Sequence, residues 1–111
     1  MKTTAEFQSF EALDIRVGRI LEVEDSLSRK PTYRLTIDFG PEFGVKRSVG
    51  AYRGYSKEAL VGRQIVAVVN FGPKKMGPEV SEVLVLGVDS EAGSVVFLTP
   101  ESDVPLGNPI Y

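Results

Sequence analysis

Tyr33-Arg34-Leu35-Thr36-Ile37-Asp38-Phe39-Gly40 alternates without a break: Tyr33, Leu35, Ile37 and Phe39 are apolar, and the residues between them are polar or glycine. A period of two marks a strand with one face in a core. Gly40-Pro41-Glu42 then turns the chain and Phe43 to Val49 returns it. The stretch therefore predicts a hairpin whose second arm carries Lys46 and Arg47.

Toward the N-terminus, Ile15, Val17, Leu21 and Val23 alternate with Arg16, Glu22 and Glu24, which predicts a strand to about Glu24 with Gly18 as a bend. Thr3 and Glu6 have capping-box spacing, and Phe7, Phe10 and Leu13 recur at helical spacing, so a short amphipathic helix precedes that strand. Asp25 to Pro31 is a polar loop. Toward the C-terminus, Tyr55 to Gly62 offers a Ser N-cap and a closing glycine, enough for a connector helix. Gln64 to Val69 is apolar on both faces, as in a central strand, and Asn70 to Glu79 reads as a long exposed loop. Val80 to Leu86 and Ser94 to Leu98 read as strands around a polar turn, and Pro100 to Tyr111 as an extended tail.

Five strands, with a short helix between the third and fourth, follow the order of a five-stranded OB-fold barrel: all-β with short helices, an N-terminal helix and a C-terminal extension. An SH3-like barrel shares much of this pattern. Composition agrees with the class. The chain has 111 residues, the size of a single domain (1–111), and its 15 Val and 5 Ile favour strands. At 42% apolar and 25% charged residues it should fold as a globular protein.

Cysteine and histidine are both absent, which excludes disulfides, thiolate nucleophiles and Cys- or His-ligated metal and removes the usual general base. Ser81 beside Glu82 has no activating partner, so hydrogen bonding at a groove edge fits it better than hydrolysis. The carboxylates lack metal-loop spacing, and Gly40-Pro41-Glu42-Phe43-Gly44 lacks the Lys-Ser/Thr of a phosphate cradle. A non-enzyme with no cofactor and no metal is expected. No apolar run approaches the roughly 18–20 residues of a membrane span, and Met1 to Glu6 lacks the apolar core of a signal peptide, so a cytoplasmic protein without membrane insertion is expected.

Net charge is −2, but it is segregated. Arg29 to Pro78 holds ten Lys and Arg against three acids, Asp38, Glu42 and Glu58. Such a segment attracts anions although the whole chain is acidic; scattered solvated lysines are the plainer reading. In an OB-fold, Arg47 and Ser48 on the third strand and Lys74, Lys75 and Met76 after the fourth border one face. Cations there would neutralise phosphates, Ser and Asn would hydrogen-bond them, and Phe71 or Met76 would pack on a base or an apolar side chain. Phe71 tucked into the core is the alternative.

Leu13-Asp14-Ile15-Arg16-Val17-Gly18-Arg19-Ile20, Tyr55 to Gly62, Val69-Asn70-Phe71-Gly72-Pro73-Lys74-Lys75-Met76 and Ser81-Glu82-Val83-Leu84-Val85-Leu86-Gly87 together resemble the tRNA-binding OB-fold family. That family includes free-standing dimeric tRNA-binding proteins, the C-terminal domain of bacterial methionyl-tRNA synthetase and the CsaA-like export-related chaperones. The likeness covers nearly the whole chain. The compact length, the Ile37-Asp38-Phe39-Gly40 strand end and Ser81 to Gly87 are most similar to the CsaA-like branch.

The resemblance implies a homodimer that binds unfolded preprotein segments for secretion, with tRNA and the secretion machinery as further partners; a dedicated tRNA-binding module is the alternative. Carried over by position, the groove comprises Lys46, Arg47, Ser48, Asn70, Phe71, Lys74, Lys75, Met76, Ser81 and Glu82. The subunit contact falls to Phe7 and Phe10 of the N-terminal helix and to Pro105, Pro109, Ile110 and Tyr111, although these residues would serve equally to plug their own barrel. One departure stands out. After Met76 the family's tRNA binders usually carry Arg-Gly, whereas this chain has Gly77-Pro78-Glu79, an anion where a cation is expected, which argues for weakened tRNA affinity.

Overall fold

Strand β1 (Ile15–Asp25) organises the sheet because it is long enough to pair with different partners at its two ends. The chain is described from a computed structural model that covers residues 1–27 and 31–111, so the expected polar loop falls in part, at Ser28 to Lys30, outside the described residues. The first half of β1 pairs antiparallel with β4 (Gln64–Val68), from Ile15 opposite Val68 to Arg19 opposite Gln64. The second half pairs with β2 (Tyr33–Asp38), from Arg19 opposite Asp38 to Asp25 opposite Tyr33. β3 (Val45–Gly50) flanks β2, and β7 (Leu84–Val85) flanks β4, giving the order β3-β2-β1-β4-β7.

The expected fifth strand is broken in two. β6 (Glu79–Ser81) lies against β3, and β7 pairs with β4, so the segment between them crosses from one sheet edge to the other. Three hydrogen bonds close the barrel at that crossing. The Glu82 N–H donates to the Arg47 carbonyl (2.8 Å), the Arg47 N–H to Glu82 Oε1 (3.0 Å) and the Val49 N–H to Ser81 Oγ (3.1 Å). The architecture is a nearly closed antiparallel barrel with an OB-fold order, as the strand pattern predicts.

Inside it, Ile20, Leu35, Ile37, Phe39, Leu60, Ile65 and Ala67 are fully buried. Gly18 is needed for this packing rather than for a bend. A Cβ there would lie 2.6 Å from Ile37 Cγ2 and 2.7 Å from the Phe39 ring, while the irregularity in β1 falls between Ile20 and Glu22. That bulge also changes which residues face the interior: Gly18 and Ile20 face the barrel core before it and Val23 packs against the core after it, while Ile15, on the opposite face, joins Val66 and Val68 in a second, smaller apolar cluster.

Four other expectations are corrected. Helix α1 (Phe7–Glu11) starts with Glu6 as its N-cap and no side-chain cap, so the Thr3–Glu6 capping box does not form. Gly40–Phe43 is a helical turn, α2, rather than a simple reverse turn. Asn70 to Glu79 is not all loop, since β5 (Lys74–Met76) pairs with β6. Finally, β9 (Val95–Phe97) pairs, among the described residues, with β8 (Gly87–Asp89) alone in a separate hairpin, which places Phe97 against Tyr52 and Tyr55 at 4.9 and 5.4 Å between ring centroids. The connector helix α3 (Lys57–Leu60) has the expected cap, with Ser56 Oγ accepting from the Ala59 N–H (3.2 Å). The tail docks on its own barrel: Gly107 and Ile110 donate to the carbonyls of Val17 and Ile15 (2.8 Å each). Among the described residues, no helix is long and apolar enough to cross a membrane.

Candidate binding cleft

β4 ends at Val68 and the chain leaves the barrel through Asn70 to Pro73 into the β5–β6 hairpin. The hairpin stands beside β3 and encloses with it a cleft of about 400 Å³. Ser48, Val49 and Tyr52 form one wall, and Phe71, Lys74 and Met76 form the other. Ser81 to Leu84, the crossing segment, supplies the base.

The pleat sorts the three consecutive hairpin residues. Lys74 and Met76 share the face that lines the cleft, and Lys75 takes the opposite face with its cross-strand partner Val80. Phe71 is 49% exposed and so does not tuck into the core. At the inner end, Ser48 Oγ and Tyr52 Oη hydrogen-bond at 3.0 Å. Burial pushes the Tyr52 phenol above its ordinary value despite that bond, so the hydroxyl stays neutral through the physiological range.

A second, more polar depression of about 390 Å³ lies where Arg34, Arg47, Glu79 and Glu82 meet. Glu79 is not the exposed anion that the Gly77-Pro78-Glu79 stretch suggests. It is 6% exposed, and both its carboxylate oxygens accept from Arg34 Nη1 at 3.2 Å. The Leu27 N–H donates to it as well (3.2 Å), and Arg34 Nη2 reaches Glu24 at 3.1 Å. Burial works against the charge on Glu79, but the Leu27 N–H and the Arg34 guanidinium outweigh it and hold the carboxyl below the ordinary range. Glu79 is therefore no surface anion; it fastens the hairpin to β2.

Other expected residues separate. Arg47 is exposed on the second depression, and neither depression reaches Lys46. Asn70 uses its amide within the chain, with Oδ1 accepting from the Asp14 N–H (2.8 Å) and Nδ2 donating to the Ala12 carbonyl (2.9 Å). It ties α1 to the end of β4. Phe7 (70% exposed) and Phe10 (41%) stand on a helix with no buried residue. Pro105, Pro109, Ile110 and Tyr111 lie on the docked tail, where Ile110 and Tyr111 are exposed. Tyr52, Val83 and Leu84 also line the cleft; Val83 and Leu84 lie in the Ser81-to-Gly87 stretch that carries the family resemblance, whereas Tyr52 lies in no such stretch, and the barrel closure brings the three together.

A five-stranded barrel of this order, with its connector helix between β3 and β4 and a cation-edged cleft beside β3, is a binding domain of the OB-fold class. The chain belongs to the family described as "Putative tRNA binding domain", whose model matches residues 15–109. It is similar in structure to the chaperone CsaA of Bacillus anthracis, with 45% identity, a TM-score of 0.92 and coverage of 98% of this chain and 100% of that one. It is likewise similar to the CsaA chaperone protein of Picrophilus torridus, with 42% identity, a TM-score of 0.91 and coverage of 97% and 100%. Among curated proteins, the methionine–tRNA ligase of Chloroherpeton thalassium is 37% identical over 112 residues, 99% of this chain and 16% of the ligase. The chain thus spans about one sixth of the length of the curated relatives it matches.

Proposed function

We propose that the chain is a non-catalytic, CsaA-like holding chaperone that keeps extended apolar segments of unfolded preproteins from aggregating before secretion. The observation that carries this reading is the cleft beside β3, whose walls are largely apolar yet open to solvent at Phe71. Phe71 presents a large apolar surface, and Met76 adapts to different client side chains because its thioether chain is unbranched and polarizable. The exposed Lys74 on the hairpin wall would pair with polar parts of a client. The protein would act in the cytoplasm as a homodimer, joined through the exposed Phe7 and Phe10 and the end of the tail.

The family match and the exposed Arg47, Lys74 and Lys75 favour a second activity, tRNA binding through phosphate contacts. The two activities differ in what drives them: apolar burial for a polypeptide, counterion release for tRNA.

Suppression of aggregation of a denatured preprotein, without nucleotide, tests the first reading. The Phe71→Ser, Met76→Ser double variant should fold like wild type, because neither residue is in the core, and should lose most of the protection. Equal protection by both proteins would remove the cleft as the client site.

A further inference from the structure

The β5–β6 hairpin leaves one strand edge open beside the cleft. Gly77 (φ 63) and Pro78 make its two-residue turn, and a positive φ at the first of the two alone is the type II′ pattern. In such a hairpin the residues flanking the turn, Met76 and Glu79, bond each other, so the next pair, Lys75 and Val80, turns its N–H and C=O groups outward. On the β5 side those groups meet no strand. Among the described residues, β5 pairs only with β6, and no other backbone group hydrogen-bonds to Lys75. The β3 edge across the cleft differs, because Glu82 and Ser81 already occupy the N–H groups of Arg47 and Val49.

We propose that an extended polypeptide segment adds to β5 as a further strand opposite Lys75. This rests on the holding reading above and gives it a binding mode. Strand addition supplies affinity through main-chain hydrogen bonds that any sequence offers, while alternate side chains supply preference. The two client residues flanking the one opposite Lys75 project on the face of Lys74 and Met76, beside the cleft, and the central residue projects beside the Lys75 ammonium. An apolar-acidic-apolar triplet is therefore preferred. The two lysines serve twice, attracting such a segment and repelling the identical edge of another copy. RNA has no alternating amide and carbonyl groups to satisfy this edge, so a polypeptide is the occupant it fits.

The test uses the full chain and a labelled peptide, Ser-Gly-Leu-Glu-Leu-Gly-Ser, with Lys75→Ala and Lys75→Pro compared. Both variants lose the ammonium, but only Lys75→Pro loses the outward N–H; a proline there is compatible with an edge strand. Circular dichroism checks that both fold. Relative to Lys75→Ala, Lys75→Pro should bind the peptide about three- to tenfold more weakly, the worth of one main-chain hydrogen bond. N-methylation of the peptide's central residue should weaken binding to wild type by a similar factor. Equal binding by the two variants with no effect of N-methylation overturns the edge mode and leaves the cleft reading standing, whereas no peptide binding by wild type overturns both. If Lys75→Pro weakens tRNA binding relative to Lys75→Ala while peptide binding is unchanged, the edge serves RNA and the proposal is wrong.

Discussion

Glu79 shows how far a single residue escapes local reading. In the sequence it is an anion in a Gly-Pro-Glu turn, and it counts against the basic face. Its partner Arg34 is 45 positions away, and only the barrel brings the two together. Removing Glu79 leaves the partly buried Arg34 with less compensation, so Glu79→Gln should destabilise the fold by about 2 kcal/mol, less than for a fully buried pair because Arg34 is only partly buried and keeps Glu24. The pH dependence has a definite sign. Because folding lowers the Glu79 pKa, its contribution is present above the ordinary value of 4.5 and is lost as pH falls through the depressed folded value. Urea melts between neutral pH and the acid limb should therefore show a steeper loss in wild type than in Glu79→Gln. Affinity for tRNA should not rise in the variant, as it would if a surface anion had been removed.

At the scale of elements, segments with a long period or a clear cap were legible and short strands were not. Alternation over Tyr33 to Phe39 marks β2, and the serine before Lys57 marks α3. β5 and β6 have three residues each, too few to display a period, and their pairing depends on the turn at Gly77. β1 illustrates a subtler limit. Its alternation identifies a strand, but the irregularity after Ile20 decides which residues face the core. The site residues were recoverable as a neighbourhood from Lys74 to Glu82, while the division of Lys74 from Lys75 requires the pleat. Gly77→Ala probes the hairpin as a unit. A Cβ there meets no atom within 4 Å, so the penalty is conformational, about 1 kcal/mol for forcing the left-handed region. Peptide binding should weaken several-fold with little change in the melting temperature of the barrel. Unchanged binding would show that hairpin order does not matter to the cleft.

For the whole molecule, two features act together: basic residues concentrated in the middle of an acidic chain, and aromatic residues left uncovered at the N-terminal helix and the chain end. Hydrogen bonds from Gly107 and Ile110 fix the tail to β1, which presents Ile110 and Tyr111 at a set position. A second copy would bury them with Phe7 and Phe10, so sedimentation at micromolar concentration should give twice the single-chain 12.1 kDa. A mass near one chain would show that these residues serve only their own barrel.

On the proposed reading the cleft holds polypeptide by apolar burial. A paired salt titration separates that drive from counterion release, with an unfolded preprotein and tRNA measured against the same protein stock. Preprotein affinity should change little from low to high salt, while tRNA affinity should fall by close to one power of salt for each phosphate contact. A preprotein affinity that falls as steeply as that for tRNA, or that is absent at every salt concentration, would rule out holding by apolar burial.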